Sequence, residues 1–87
     1  MYGYIVYANM TPEVGAKFPE IGPTMDSLKE HAKSHGFHMK YWGHPFGVSE
    51  NIIVVYKSEH DLTALMKMNQ STTLPYSGAR TIIANRT

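Results

Sequence analysis

The stretch IIVVYKSEHDLTALM, Ile52 to Met66, joins a run of strand composition to one with helical spacing. Ile52, Ile53, Val54, Val55 and Tyr56 are β-branched or aromatic without a break, which predicts a strand over Asn51–Lys57. Ser58-Glu59-His60-Asp61 then opens a helix, with Ser58 as the expected N-cap and Asp61 three residues on as a shortened capping box. Leu62, Leu65, Met66 and Asn69 follow at helical spacing. A strand that feeds a helix in this way is half of a βαβ unit, and the rest of the chain falls into place around it.

Upstream, Tyr2 to Met10 is a strand with Tyr, Ile and Val interrupted only by Gly3, Ala8 and Asn9. Both of its alternating faces are apolar or aromatic, so both are expected to be covered. Thr11-Pro12-Glu13 starts a short helical piece, with Thr as N-cap and Pro in the first turn. Pro19, Gly22 and Pro23 interrupt it. The better helix runs from Pro23 to Ser34, with Met25, Leu28 and Ala32 along one face and Gly36 as its stop. Phe37–Trp42 alternates as a strand, and the Gly and Pro content of Gly43–Gly47 marks a loop. Downstream, Gln70–Gly78 reads as a loop and Arg80–Asn85 as the last strand. The order is β-α-β-β-α-β, an α+β ferredoxin-like layout: one domain over residues 1–87, a four-stranded antiparallel sheet with two helices on one face.

Composition limits the function. The 87 residues are 43% hydrophobic and 17% charged, too apolar for a disordered chain. The longest unbroken apolar run, Ile52–Tyr56, is far short of a membrane span. There is no cysteine, hence no disulfide framework and no thiolate metal site. The first ten residues, MYGYIVYANM, lack a basic start and read as strand, so a cytoplasmic protein is expected. A net charge of +1 argues against a strong polyanion binder.

The two faces of the expected sheet differ in chemistry. Val6, Ala8, Phe37, Met39, Tyr41, Ile53, Val55, Ile82 and Ala84 are aliphatic enough to lie under the helices. The opposite set comprises Ile5, Tyr7, Asn9, His38, Lys40, Trp42, Ile52, Val54, Tyr56, Thr81, Ile83 and Asn85. It is too apolar for open water and too polar for a plain core. Uncovered, it would expose several hundred Å² of mixed aromatic surface, more than a monomer usually leaves bare. A second copy stacked sheet on sheet, a bound ligand, or both would cover it.

The element order, the two-sided first strand and the run Tyr56-Lys57-Ser58-Glu59, an aromatic strand end followed by a polar pair and an acidic helix start, resemble the dimeric α/β-barrel superfamily. That superfamily includes small monooxygenases, haem-degrading monooxygenases, stress-responsive barrel proteins and families of unknown function. The resemblance implies a homodimer with a cavity between sheet and helices. It does not select a reaction, because one fold hosts unrelated activities. Haem-degrading members use an Asn, a Trp and a His in one pocket. Here Asn9 ends the first strand, but Trp42 lies on the second strand where the pattern places it near the third. No histidine on the second helix follows His60.

Several residues are candidates for chemistry. His38, Lys40 and Trp42 share a strand face, and His38 is the candidate base, since a neutral imidazole accepts protons near pH 7. Tyr7, Trp42 and Tyr56 suit a flat aromatic ligand, although interface packing explains the same residues. Lys40 would pair an anionic ligand, or extend its ammonium to water. His31 and His35, four apart on a helix, would need a third ligand to hold a metal; a solvated helix face explains them equally well. The RNA-recognition motif shares this element order. However, "IVYANM" places Val6 where its aromatic belongs, and "NIIVVYK" lacks its basic-Gly-aromatic pattern. The sequence thus predicts a cytoplasmic homodimer without cofactor or metal, binding neither nucleic acid nor membrane. It would hold a small apolar or aromatic molecule in a cavity lined by Tyr7, Asn9, His38, Lys40, Trp42, Tyr56 and Asn85, or serve a purely structural role. The alternative is a cofactor-independent monooxygenase-like enzyme acting on an aromatic substrate.

Overall fold

The computed structural model describes residues 1–16, 20–71 and 74–85, the side chains of residues 14, 15, 78, 79 and 85 excepted. The chain runs β1 (Tyr2–Met10), α1 (Pro12–Ala16), α2 (Gly22–Ser34), β2 (His38–Gly43), β3 (Ile52–Ser58), α3 (Leu62–Gln70) and β4 (Tyr76–Asn85). The strands form one sheet in the order β2-β3-β1-β4, with every neighbouring pair antiparallel. β1 is therefore parallel to β2, and β3 to β4, and each crossover carries helix past one intervening strand. This is the expected α+β ferredoxin-like fold, with α1 as a short extra turn ahead of the first main helix. No helix among the described residues is long and apolar enough to cross a membrane.

The core lies between the sheet and helices α2 and α3. Met25, Leu28 and Ala32 from α2, and Leu65 and Met68 from α3, meet Tyr4, Val6 and Ala8 of β1 and Ile52, Val54 and Tyr56 of β3. Phe37 is its aromatic hub, with ring centroids 5.6 Å from Tyr4 and 6.3 Å from Tyr56. Large side chains buried this fully contribute about 1.5–3 kcal/mol each. On α3, Leu62 and Met66, expected on the buried stripe, are exposed, and Met68 takes the inward position.

Helix α2 ends as its sequence predicts. Gly36 has φ +82°, its N–H donates to the Lys33 carbonyl at 3.0 Å, and the Phe37 N–H donates to the Ala32 carbonyl at 2.9 Å. This pair of bonds is a Schellman motif, and the left-handed residue at its centre is best supplied by glycine. The start of α3 differs from expectation. Its N-cap is Asp61, whose Oδ1 accepts from the Ala64 N–H at 3.2 Å. Ser58 still belongs to β3, and by strand alternation its side chain faces the helices. There its hydroxyl donates to the Gly36 carbonyl at 2.8 Å and accepts from the His60 N–H at 2.9 Å. The last strand also begins earlier than expected, at Tyr76 rather than Arg80.

The face assignment holds on β1 and on β2 as far as Met39, and reverses on β3, on β4 and past the middle of β2. Val6 and Ala8 face the helices, while Ile5, Tyr7 and Asn9 take the opposite parity. On β3, Ile52, Val54 and Tyr56 are buried under the helices, each 1% exposed or less, and Ile53 and Val55 point away. The register Tyr4↔Tyr56 and Val6↔Val54 fixes this. Because residues 52–56 are apolar on both parities, the sequence carries no alternation to choose between them. On β2 a register shift between Met39 and Tyr41 makes Lys40 a bulge residue. Parity flips past it, so Tyr41 turns outward and Trp42 packs against the core. On β4, Ile82 pairs with Ile5 and Ile83 with Tyr4, again the reverse of expectation. Tyr56 and Trp42 therefore sit on the helix side of the sheet and not on the open face.

Candidate functional site

Directly opposed residues of antiparallel strands share a face, so the pairing defines rows across the open side of the sheet. One row is Tyr41–Val55–Ile5–Ile82, apolar or aromatic on all four strands. The next is Gly43–Ile53–Tyr7–Arg80, and on the other flank lies His38–Lys57–Gly3–Ala84. The central residues Ile5, Tyr7, Ile53 and Val55 are only half-buried, while Tyr41 at one end is 60% exposed and Ile82 at the other 46%. Tyr41 lies over Gly43: a Cβ there would meet its hydroxyl at 2.8 Å. The glycine lets the ring sit across the row.

The charged feature of this face was not evident from the sequence. Glu50, just before β3, reaches past β1 to Arg80 on β4, with Nε to Oε2 at 2.5 Å and Nη2 to Oε1 at 3.3 Å. The Arg80 guanidinium carbon lies 4.6 Å from the centroid of the Tyr7 ring, a cation–π position. The Ser49 hydroxyl donates to Oε1 at 3.2 Å. Glu50 is 8% exposed although it is charged, and the Arg80 hydrogen bonds hold its carboxyl below the usual carboxylate range. Neighbouring Asn51 ties the same corner, donating its N–H to the Ala8 carbonyl and accepting from the Met10 N–H at 2.7 Å. The arrangement is a rigid polar cluster against an aromatic ring, at the border of an apolar stripe.

The seven expected site residues do not converge. Tyr7 lies beside Arg80, Asn9 is exposed on the same parity, and His38 is exposed opposite Lys57. Lys40 leaves this face at the bulge. It lines a groove of about 360 Å³ with His38, Met39, Lys29 and Lys33, between β2 and α2. Trp42 is half-buried and Tyr56 fully buried on the helix side. The side chain of Asn85 lies outside the described residues. Burial pushes the Tyr56 phenol well above its ordinary value, and the Tyr76 hydroxyl beside it adds to that shift. Neither hydroxyl makes a hydrogen bond of acceptable geometry among the described residues.

The histidines are distributed among structural contacts. The Ser71 hydroxyl donates to the Met68 carbonyl at 2.6 Å, so at 2.8 Å from His31 Nε2 its oxygen accepts and the imidazole donates. This bond clasps α2 to the end of α3. The His35 ring lies 4.7 Å from that of His31, and among the described residues no third ligand joins the two. His60 packs its ring 5.9 Å from Phe37, and its carbonyl accepts from the Tyr4 hydroxyl at 2.5 Å. His44 contacts its own loop, through Pro45 and Phe46.

No family model matches the chain, and no curated protein matches it in sequence. Among solved structures it is similar to a variant of MhuD crystallised with two manganese protoporphyrin IX molecules bound per active site. The TM-score is 0.50 at 15% identity, over 99% of this chain and 94% of that one. At this identity the likeness is one of fold.

Proposed function

We propose that the protein is a cytoplasmic homodimer in which two open sheet faces stack and a small apolar or aromatic molecule lies between them. The observation that carries this reading is the row Tyr41–Val55–Ile5–Ile82, an apolar stripe spanning the sheet with its two ends exposed. Sheets packed about 10 Å apart interdigitate such rows. The likeness in fold to MhuD supports placing the chain near the dimeric α/β barrels. Tyr7 and Asn9 remain as ligand contacts on this face, with His38 at its flank. The Glu50–Arg80 pair joins them as the polar group that orients a ligand against the Tyr7 ring.

A porphyrin is not the ligand we propose. Haem iron takes an axial ligand, commonly an imidazole, and none of this chain's histidines stands in the apolar row Tyr41–Val55–Ile5–Ile82. His31, His44 and His60 are engaged in the contacts above, His35 lies against His31, and His38 stands among Lys40 and Lys57. The layer between sheet and helices is occupied by Tyr4, Phe37 and Tyr56.

Native mass spectrometry of the protein as purified, with no ligand added, tests the proposal. The expected result is a dimer carrying extra mass, and that mass identifies the ligand class. A clean dimer would reduce the face to a structural interface, and a bare monomer would overturn the proposal. A second reading, a cofactor-independent monooxygenase-like enzyme acting on an aromatic substrate, is favoured by one observation. His38 is exposed, with no side-chain hydrogen bond among the described residues, which leaves its imidazole open to a substrate proton. On that reading His38→Ala abolishes turnover and leaves fold and dimer intact; on the first it lowers stability or weakens the dimer, and there is no turnover to lose.

A further inference from the structure

The groove between β2 and α2 is cationic. Its lining is Lys29, Lys33, His38, Met39 and Lys40, around about 360 Å³, with no carboxylate among the described residues that line it. Lys29 and Lys33 stand four apart on α2 and so share a helix face. Lys40 joins them because it is the bulge residue of β2, displaced from strand alternation. Asp26 and Glu30, the carboxylates of α2, do not line the groove, and neither lies within 4 Å of a lysine amine among the described residues. Three like charges around one small volume repel each other unless an anion joins them.

We propose that this groove binds the phosphate end of a small phosphorylated metabolite, with Lys29, Lys33 and Lys40 as charge partners and His38 as hydrogen-bond donor. Lysine ammoniums are compact point charges with rotatable donors, and they suit a tetrahedral polyanion. A planar carboxylate is better matched by a guanidinium fork. Three cations also exceed what one carboxylate neutralises. The volume lies near the lower end of small-molecule sites, enough for a diphosphate or sugar phosphate. A nucleic-acid strand is disfavoured. Backbone tracking needs cations along a stripe and aromatic platforms for bases, whereas these cations are confined to one groove that contains no Phe, Tyr or Trp. The groove lies at the β2 edge and shares only His38 with the flank of the open face, so its three lysines can be tested apart from the stacking of the open faces.

The test is titration of inorganic pyrophosphate at low ionic strength, followed by amide chemical shifts of the isotope-labelled protein. We expect saturable one-site binding with shifts confined to residues 29–33 and 38–41. Lys33→Gln and Lys40→Gln should each weaken it about tenfold, while Lys67→Gln on α3, outside the groove, leaves it unchanged. These lysines are exposed, so the variants fold. Non-saturating shifts, equal weakening by Lys67→Gln, or tighter binding of a single-stranded oligonucleotide than of pyrophosphate would each overturn the proposal.

Discussion

Arg80 donates to the Glu50 carboxylate through both Nε and Nη2 while its guanidinium covers the Tyr7 ring, so residues thirty apart in sequence close one polar cluster across β1. Tyr7 and Arg80 face each other on the adjacent strands β1 and β4, and Glu50 stands two residues before β3. The cluster therefore reports directly on whether β1, β3 and β4 are in register.

Acid should weaken the protein through this pair. Glu50 is held below its ordinary value when folded, so its stabilisation is complete above the unfolded carboxylate pKa and is lost as pH falls through the lower folded value. Glu50→Gln removes that contribution. The variant should be less stable than the parent at pH 7, and its loss of melting temperature between pH 7 and pH 3 should be smaller. Equal pH sensitivity in parent and variant would contradict the assignment.

Gly36 faces two constraints at once. Its φ of +82° suits glycine, and a Cβ would lie 2.6 Å from the His60 ring. Gly36→Ala should cost more than about 1–2 kcal/mol, the usual penalty for the left-handed region alone. In a His60→Ala background the excess should vanish and the conformational part remain, as read by urea unfolding.

The two buried hydroxyls, Tyr4 with a partner and Tyr56 without one, should contribute differently to stability. Tyr4 donates to the His60 carbonyl, and Tyr4→Phe should cost about 0.5–1.5 kcal/mol. Tyr56 has no such bond, so Tyr56→Phe should change stability by less than about 1 kcal/mol in either direction. Tyr56→Ala, which empties the core beside Phe37, should cost about 3–5 kcal/mol. Equilibrium denaturation of the three variants decides the matter.

The element order was legible in the sequence because turn residues and periodicities marked it: Gly36 as helix stop, Met25, Leu28 and Ala32 as a buried stripe, and the apolar run before Lys57. The faces were only partly legible. Residues 52–56 satisfy both parities, and the bulge at Lys40 leaves no mark in residue type, so Trp42 and Tyr56 were expected on the wrong side. The Glu50–Arg80 pair was invisible for a different reason. It depends on the β1–β4 register, and no local pattern connects a loop carboxylate to a strand arginine thirty residues later.

The stacking of two open faces is tested by the mass of the protein in solution, measured by sedimentation equilibrium for the parent chain and for Val55→Glu, which places a carboxylate in the middle of the apolar row. Stacked open faces require a dimeric parent and a folded, monomeric variant. A monomeric parent, or a variant that dimerises as tightly, would contradict the stacking.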